Sequence, residues 1–222
     1  GWLYMSVEEM IAAFEEYLSQ GMMGVKMKLG HEDPRIDIQR VTEVRKALGD
    51  DIWIATDANQ KWDYPTAMMV GRELEQLNVA WFEEPLWCDD IPGHARLADD
   101  LDIPIAMGET LGSRYEFDAY IRADAADILQ PDICRVGGIT EMIKIVHMGQ
   151  VAGKPIAPHH MMESTIQVAC GVMSSGPIEY MPWVSGAFSE PMRIEDGQMF
   201  PSQKPGLGLE IPEDVIQKYR IE

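Results

Sequence analysis

Seven ionisable residues, Lys28, Asp57, Glu83, Glu109, Asp132, His159 and Glu179, follow one another at steps of 20 to 29 residues. Each stands at or near the C-terminal end of a short run that reads as a β-strand, over 24–30, 52–57, 79–83, 103–109, 127–132, 155–159 and 178–180. These runs are too short for helices, and several are rich in Val, Ile and aromatic residues. Helical patterns lie between them. Ser6 and Glu9 form a capping box at the head of Val7, Met10, Phe14 and Leu18, and Gly21 supplies the stop. Ile38, Val41, Val44 and Leu48 share a helix face that ends at Gly49, and Val70, Leu74 and Leu77 share another within 66–77. Further helices are predicted around 94–101, 115–123, 138–152 and 164–174.

Strands alternating with helices make βαβ units and a parallel sheet. An ionisable group at the same phase of each unit suits a closed barrel, where all strand C-termini meet around one mouth. In an open doubly wound sheet the same positions would spread along a line. The Gly-x-Gly-x-x-Gly fingerprint and the phosphate loop are both absent from the sequence. The expected fold is therefore a TIM-like (β/α) barrel. With 222 residues the chain is slightly short of the about 250 that such a barrel typically takes. No linker, charge block or low-complexity segment interrupts it. Residues 1–181 are expected to form the barrel domain, and the Pro- and Gly-rich stretch 182–222 a wrapping segment with a short helix at 213–219.

Charge narrows the partners. A net charge of −19 repels phosphate backbones and anionic lipid, so nucleic-acid and membrane-surface roles are not expected. No apolar run approaches the roughly 18 residues of a membrane helix, and no signal-peptide pattern opens the chain. Cys88, Cys134 and Cys170 are few, odd in number and scattered, which suits a reducing cytoplasm and neither a disulfide framework nor a zinc site.

Asp57, Glu83 and Glu109 end three consecutive strands, and barrel geometry would gather their carboxylates, which repel one another unless a cation is shared. An all-oxygen triad suits Mg²⁺, with Mn²⁺ as the alternative. A single acidic strand end would more simply pair with a neighbouring lysine. Lys26 and Lys28 are two apart and point to the same side of their strand. Two adjacent ammonium groups lower each other's proton affinity and prepare one as a base; on an edge strand they would simply be solvated. Asp132 and His159 end successive strands, and a carboxylate on one imidazole nitrogen fixes the tautomer and raises the basicity of the other.

Together, Lys26-Met-Lys28, Asp57-Ala-Asn59, Glu83-Glu-Pro85, Gly108-Glu109-Thr110, Gln130-Pro-Asp132 with Gly137-Gly138, and Pro158-His159 resemble the enolase superfamily, specifically its mandelate racemase group. The similarity reaches the Pro205-Gly-Leu-Gly-Leu209 tail. It implies a modified (β/α)7β barrel, here with only the end of its first strand at Trp2-Leu3-Tyr4. The N-terminal α+β capping domain of relatives, whose loops close over the substrate, has no match in this chain.

By the same resemblance, Asp57, Glu83 and Glu109 are the Mg²⁺ ligands and Lys28 is the base on one substrate face, with Lys26 beside it on the carboxylate. His159, paired with Asp132, is the acid/base on the other face, and Glu179 bonds the developing enediolate. Asn59 and Glu84 match supporting or substrate-contacting positions. The partner implied is a small-molecule carboxylate, and the assembly a homo-oligomer between dimer and octamer. The stretches Asp57-Ala-Asn-Gln-Lys-Trp62, Asp90-Ile-Pro-Gly-His94 and Pro131-Asp-Ile-Cys-Arg-Val-Gly-Gly138 most resemble acid-sugar dehydratases acting on aldarates such as galactarate or talarate. Racemisation of an α-hydroxy acid by the same bases, and a non-catalytic fragment, stay open as alternatives. The remaining histidines, His31, His94, His147 and His160, are expected in supporting or solvated roles, and Trp87 and Asp89 at the rim.

Overall fold

The computed structural model describes residues 1–173 and 176–221. Three helices begin with the same short grammar, an Asp whose side chain accepts a first-turn backbone N–H and a Pro within the next two positions. Asp33 opens α2 (Pro34–Leu48), Asp63 opens α3 (Tyr64–Gln76) and Asp90 opens α4 (Ile91–Asp100). Proline suits the first turn because the N–H it lacks would have had no helical partner there. The predicted capping box of Ser6 and Glu9 opens α1 (Val7–Ser19). Then follow α5 (Arg114–Arg122), α6 (Ile139–Ala152), α7 (Met162–Val172), a 3-10 turn at Ser185–Ala187 and α8 (Glu213–Tyr219).

The strands between them are short: β1 (Gly24–Lys28), β2 (Trp53–Asp57), β3 (Trp81–Glu83), β4 (Ile105–Met107) and β5 (Ile128–Leu129). They form one parallel sheet in the order β1-β2-β3-β4-β5. Parallel bridges from Leu129 to Ile156 and from Asp132 to His159 carry it one segment further. Register matters most for the site. Lys28 lies opposite Asp57, and Asp57 opposite Glu83, so three ionisable strand ends share one rung.

The helices follow the strands in turn, each packing beside the next in the series from α1 to α4 and from α5 to α7. One apolar cluster, with Met10, Phe14, Val41, Leu74 and Phe82, seals α1–α4 onto the sheet, and a second, with Phe117, Tyr120, Leu129, Met142 and Ile145, seals α5 and α6. Each such side chain contributes about 1.5–3 kcal/mol by leaving water. At the opposite end from the mouth, the guanidinium of Arg45 donates to the carbonyls of Gly49, Ile52, Leu77 and Asn78, closing two loops with one side chain. Gly108, at φ +150°, brings the end of β4 against the Gln130 backbone, where a Cβ would sit 2.8 Å from backbone atoms.

Two expected strands are reduced. Residues 155–159 make only the two single bridges, since Pro155 and Pro158 cannot donate to a ladder. Residues 178–180 run without a paired strand among the described residues. The other strands are shorter than expected by one to four residues. The helix predicted at 164–174 is α7, and residue 174 lies outside the described residues. The expected wrapping segment also carries a hairpin, β6 (Arg193–Glu195) and β7 (Gln198–Phe200), in addition to its short helix. The Asp196-Gly197 turn of that hairpin, with φ of 47° and 71°, is a strong hairpin signal. It packs against Gly21 behind α1. The fold is α/β with a parallel sheet, and between β1 and the segment 176–183 lies a groove of about 600 Å³ that is also lined by Ala55, Trp81, Gln130 and Ala157. The backbone of Gly1 accepts from Lys28 N–H and donates to the Lys26 carbonyl along β1.

Candidate active site and metal centre

All seven phased residues reach the C-terminal end of the sheet, and their side chains meet. Asp57 and Glu83 are fully buried, and one oxygen from each of Asp57, Glu83 and Glu109 falls within 4.8 Å of the others. Lys26 Nζ lies 2.7 Å from Glu83 Oε1, 2.7 Å from Glu179 Oε1 and 4.0 Å from Asp57 Oδ2. Lys28 Nζ pairs with Asp57 Oδ2. At the other end of the carboxylate cluster, His159 Nδ1 is 2.8 Å from Asp132 Oδ2, while its Nε2 faces Glu109 Oε2 at 3.3 Å and Glu179 Oε2 at 3.8 Å. Asp132 is itself aimed by the N–H groups of Cys134 and Arg135. Glu179 accepts the His160 N–H at 2.8 Å. Asn59 donates its N–H to Asp57 and its amide to Glu109 at 3.3 Å.

The electrostatics divide these groups into two sets. Burial pushes Asp57 up to about 7, with the Glu83 charge adding to it, and burial likewise brings Glu109 to about 7. Burial works the same way on Glu83, but the charge and hydrogen bond of Lys26 outweigh it and hold that carboxyl down at about 2. Lys26 stays firmly protonated: burial opposes its charge, and Glu83, Glu179 and Asp57 more than compensate. Burial would also lower His159, yet the Asp132 hydrogen bond and the nearby Glu109 and Glu179 charges raise it above the ordinary imidazole value.

Two carboxyls that resist ionisation, beside a third that is already anionic, amount to charge awaiting a cation. Among the described residues, Glu109 Oε2 is buried with no hydrogen-bond partner, since the 3.3 Å approach of His159 Nε2 lacks bonding geometry. An all-carboxylate donor set of this size fits a hard divalent ion, Mg²⁺ or Mn²⁺, better than zinc.

The groups that hold Glu83 escape a reading of the sequence. Gln130 Nε2 donates to Glu83 Oε2 at 2.7 Å, and Trp81 Nε1 donates to the same oxygen at 3.1 Å. Trp81 stands two residues before Glu83 and Gln130 two before Asp132, so the period-2 alternation of a strand already puts them on the site side. Glu84 is buried beside the cluster, accepting from Thr110 and Gln60. Among the other histidines, His31 is tied to buried Asp37 at 2.6 Å, His94 is buried against Tyr120, and His147 is exposed. Trp87 is exposed and donates to Asp89.

Residues 9–215 match the model of the family described as Enolase C-terminal domain-like. The chain is 39% identical over 213 residues to L-talarate/galactarate dehydratase of Salmonella typhimurium, covering 96% of this chain and 54% of that protein. It is 35% identical to arabinonate dehydratase of Saccharolobus solfataricus, covering 93% of this chain and 57% of that one. Its structure superposes on L-talarate dehydratase of Polaromonas sp. JS666, complexed with Mg and L-glucarate, with a TM-score of 0.93 and 41% identity, over 98% of this chain and 61% of the other. The chain thus spans between half and two thirds of the length of these relatives.

Proposed function

The chain belongs to the enolase C-terminal domain-like family, in the mandelate racemase group of the enolase superfamily, and from that premise we propose that it carries the catalytic centre of a Mg²⁺-dependent acid-sugar dehydratase. The observation that carries this reading is the arrangement around the triad: a locked cation (Lys26) and a second lysine at one end, and an aspartate-oriented imidazole at the other. Two named dehydratases among its relatives support the substrate class.

Asp57, Glu83 and Glu109 would hold the ion. When bound, it offsets the negative charge that builds on the substrate carboxylate as the α-proton leaves, an effect worth several kcal/mol. Lys26, fixed as an ammonium, binds one oxygen of that carboxylate. Lys28, as the free amine after its own proton has passed to solvent, would take the α-proton, and the electron pair left on carbon would delocalise into the carboxylate as an enediolate. His159, its Nδ1–H held by Asp132, gives its Nε2 proton to the departing β-hydroxyl, which leaves as water. The resulting enol tautomerises to a 2-keto-3-deoxy acid. Glu179, against Lys26 and facing His159, borders the same charge. In the same reading the parallel sheet closes as a modified (β/α)7β barrel formed by residues 1–181, with 182–222 wrapping it. The acidic protein acts in the cytoplasm on a small carboxylate, as a homo-oligomer. Among the described residues, no helix is long and apolar enough to cross a membrane.

A screen of aldarates and aldonates with Mg²⁺, read by keto-acid formation, tests the reaction. The expected result is keto acid from one or a few of them. Deuterium from ²H₂O at C2 of recovered acid without keto product would replace the dehydratase with a racemase.

A further inference from the structure

Three of the eight non-glycine residues with positive φ among the described residues lie together beside the metal triad: Asn59 (φ 43°), Gln60 (φ 64°) and Glu84 (φ 42°). Such conformations persist only where surrounding bonds enforce them, and here the enforcing bonds form a closed frame. The Gln60 N–H donates to the Glu84 carbonyl at 2.8 Å, and the Glu84 N–H to the Ala106 carbonyl at 3.0 Å. The Glu84 carboxylate accepts Thr110 Oγ1 at 2.8 Å and Gln60 Nε2 at 3.2 Å, while Gln60 Oε1 accepts the Cys88 N–H at 2.9 Å. Each corner belongs to a different strand end. Gln60 follows Asp57 on the loop after β2, Glu84 adjoins Glu83 after β3, and Thr110 adjoins Glu109 after β4.

Glu84 is 1% exposed and makes no ion pair among the described residues. A buried carboxylate is an expensive way to tie three loops together if stability were the only outcome, because an apolar contact would serve the fold at lower desolvation cost. Its polarity has a use if the loops must hold three carboxylates at fixed separations. We infer that Glu84, Gln60 and Thr110 are positioning residues that set the spacing of Asp57, Glu83 and Glu109, and so the affinity of this centre for Mg²⁺. The inference rests on the proposed metal centre and names the part of the chain that pre-forms it.

Paired substitutions at Thr110 test it, with Mg²⁺ titrated calorimetrically into the whole chain and thermal unfolding followed without metal. Thr110→Val removes the donor and keeps the shape; Thr110→Ser keeps the donor. The expected result is a Kd for Mg²⁺ raised about 10-fold or more by Thr110→Val and within about 3-fold of the parent for Thr110→Ser, in keeping with the 10- to 100-fold cost of losing outer partners of metal ligands. If Thr110→Val lowers the unfolding temperature but binds Mg²⁺ as tightly as the parent, the frame is purely structural and the inference falls. Should Thr110→Val not fold, Gln60→Met at a half-buried corner applies the same comparison. A folded parent that binds no Mg²⁺ would instead overturn the proposed function, and this inference with it.

Discussion

Lys26 and Lys28 point to the same side of one strand, yet their partners give them different work. Lys26 is bracketed by Glu83 and Glu179 and stays a cation; Lys28 pairs with Asp57. Sequence periodicity pairs the lysines but cannot give their partners, because Lys26 is held by carboxylates 57 and 153 residues away. The same limit hides Gln130 and Trp81: their role is to donate to one oxygen of Glu83, a contact made only in space. Two outcomes are expected of these side chains. Asp57 and Glu109 are both raised to about 7, so in the metal-free protein they favour the folded state when protonated. That contribution is fully present below about pH 4, the unfolded carboxylate range, and is lost as pH rises through about 7. Protons and Mg²⁺ therefore compete for the same oxygens, and the rise in unfolding temperature on adding Mg²⁺ should be larger at pH 8 than at pH 6. A metal-induced shift that is equal at both would contradict the assignment. The second concerns His159, whose Nε2 is the one imidazole nitrogen facing the cluster. His159→Asn should lower kcat by about 10²–10⁴-fold, the usual worth of a general acid, while leaving the Mg²⁺ Kd within a few-fold. A comparable loss of Mg²⁺ affinity would mean that His159 shapes the metal centre instead of transferring a proton.

At the scale of elements, the helices are the more legible half. Capping Ser and Asp, first-turn Pro and terminal Gly are local signals, and they place helix ends to within a few residues. Strands are harder, because their ends are decided by partners. The segment 155–159 carries the right residues, but two prolines leave it bridging at Ile156 and His159 alone. It still delivers His159 opposite Asp132, which is the contact the site needs. Between α4 and α5 the structure keeps a fully buried histidine, His94, whose ring packs edge-on to Tyr120 at 5.5 Å and whose Nε2 has no partner among the described residues. Burial lowers its proton affinity, against a smaller opposing pull from the Asp90 carbonyl and carboxylate. For a histidine held neutral, the stabilisation is present above its unfolded value of about 6.5 and is lost as pH falls below it. The parent should therefore lose more stability between pH 7 and pH 5 in urea unfolding than His94→Phe does over the same interval. If both lose the same amount, His94 contributes nothing to the acid sensitivity.

For the whole molecule, seven side chains spread over 152 residues converge because parallel strands end at the same level. Register puts Lys28, Asp57 and Glu83 on one rung, and Glu109, two residues past β4, brings one carboxylate oxygen within 4.8 Å of an oxygen of Asp57 and of Glu83. That convergence is legible in the regular step of ionisable residues along the chain. The groove beside β1 and the hairpin on α1 are not, since nothing periodic marks them. The net charge of −19 repels polyanions and is compatible with the small carboxylate proposed as the ligand, for which Lys26 and Lys28 supply cations at the mouth. In the proposed reaction this mouth removes a proton from the carbon next to a carboxylate. The most direct test is ¹H NMR of acid sugars such as galactarate in ²H₂O with the folded protein and Mg²⁺. Loss of the C2 proton signal, through exchange or dehydration, is predicted for at least one acid sugar. It should require Mg²⁺ and vanish in Lys28→Ala. Retention of every C2 proton by a chain shown to bind Mg²⁺ would rule that proton abstraction out.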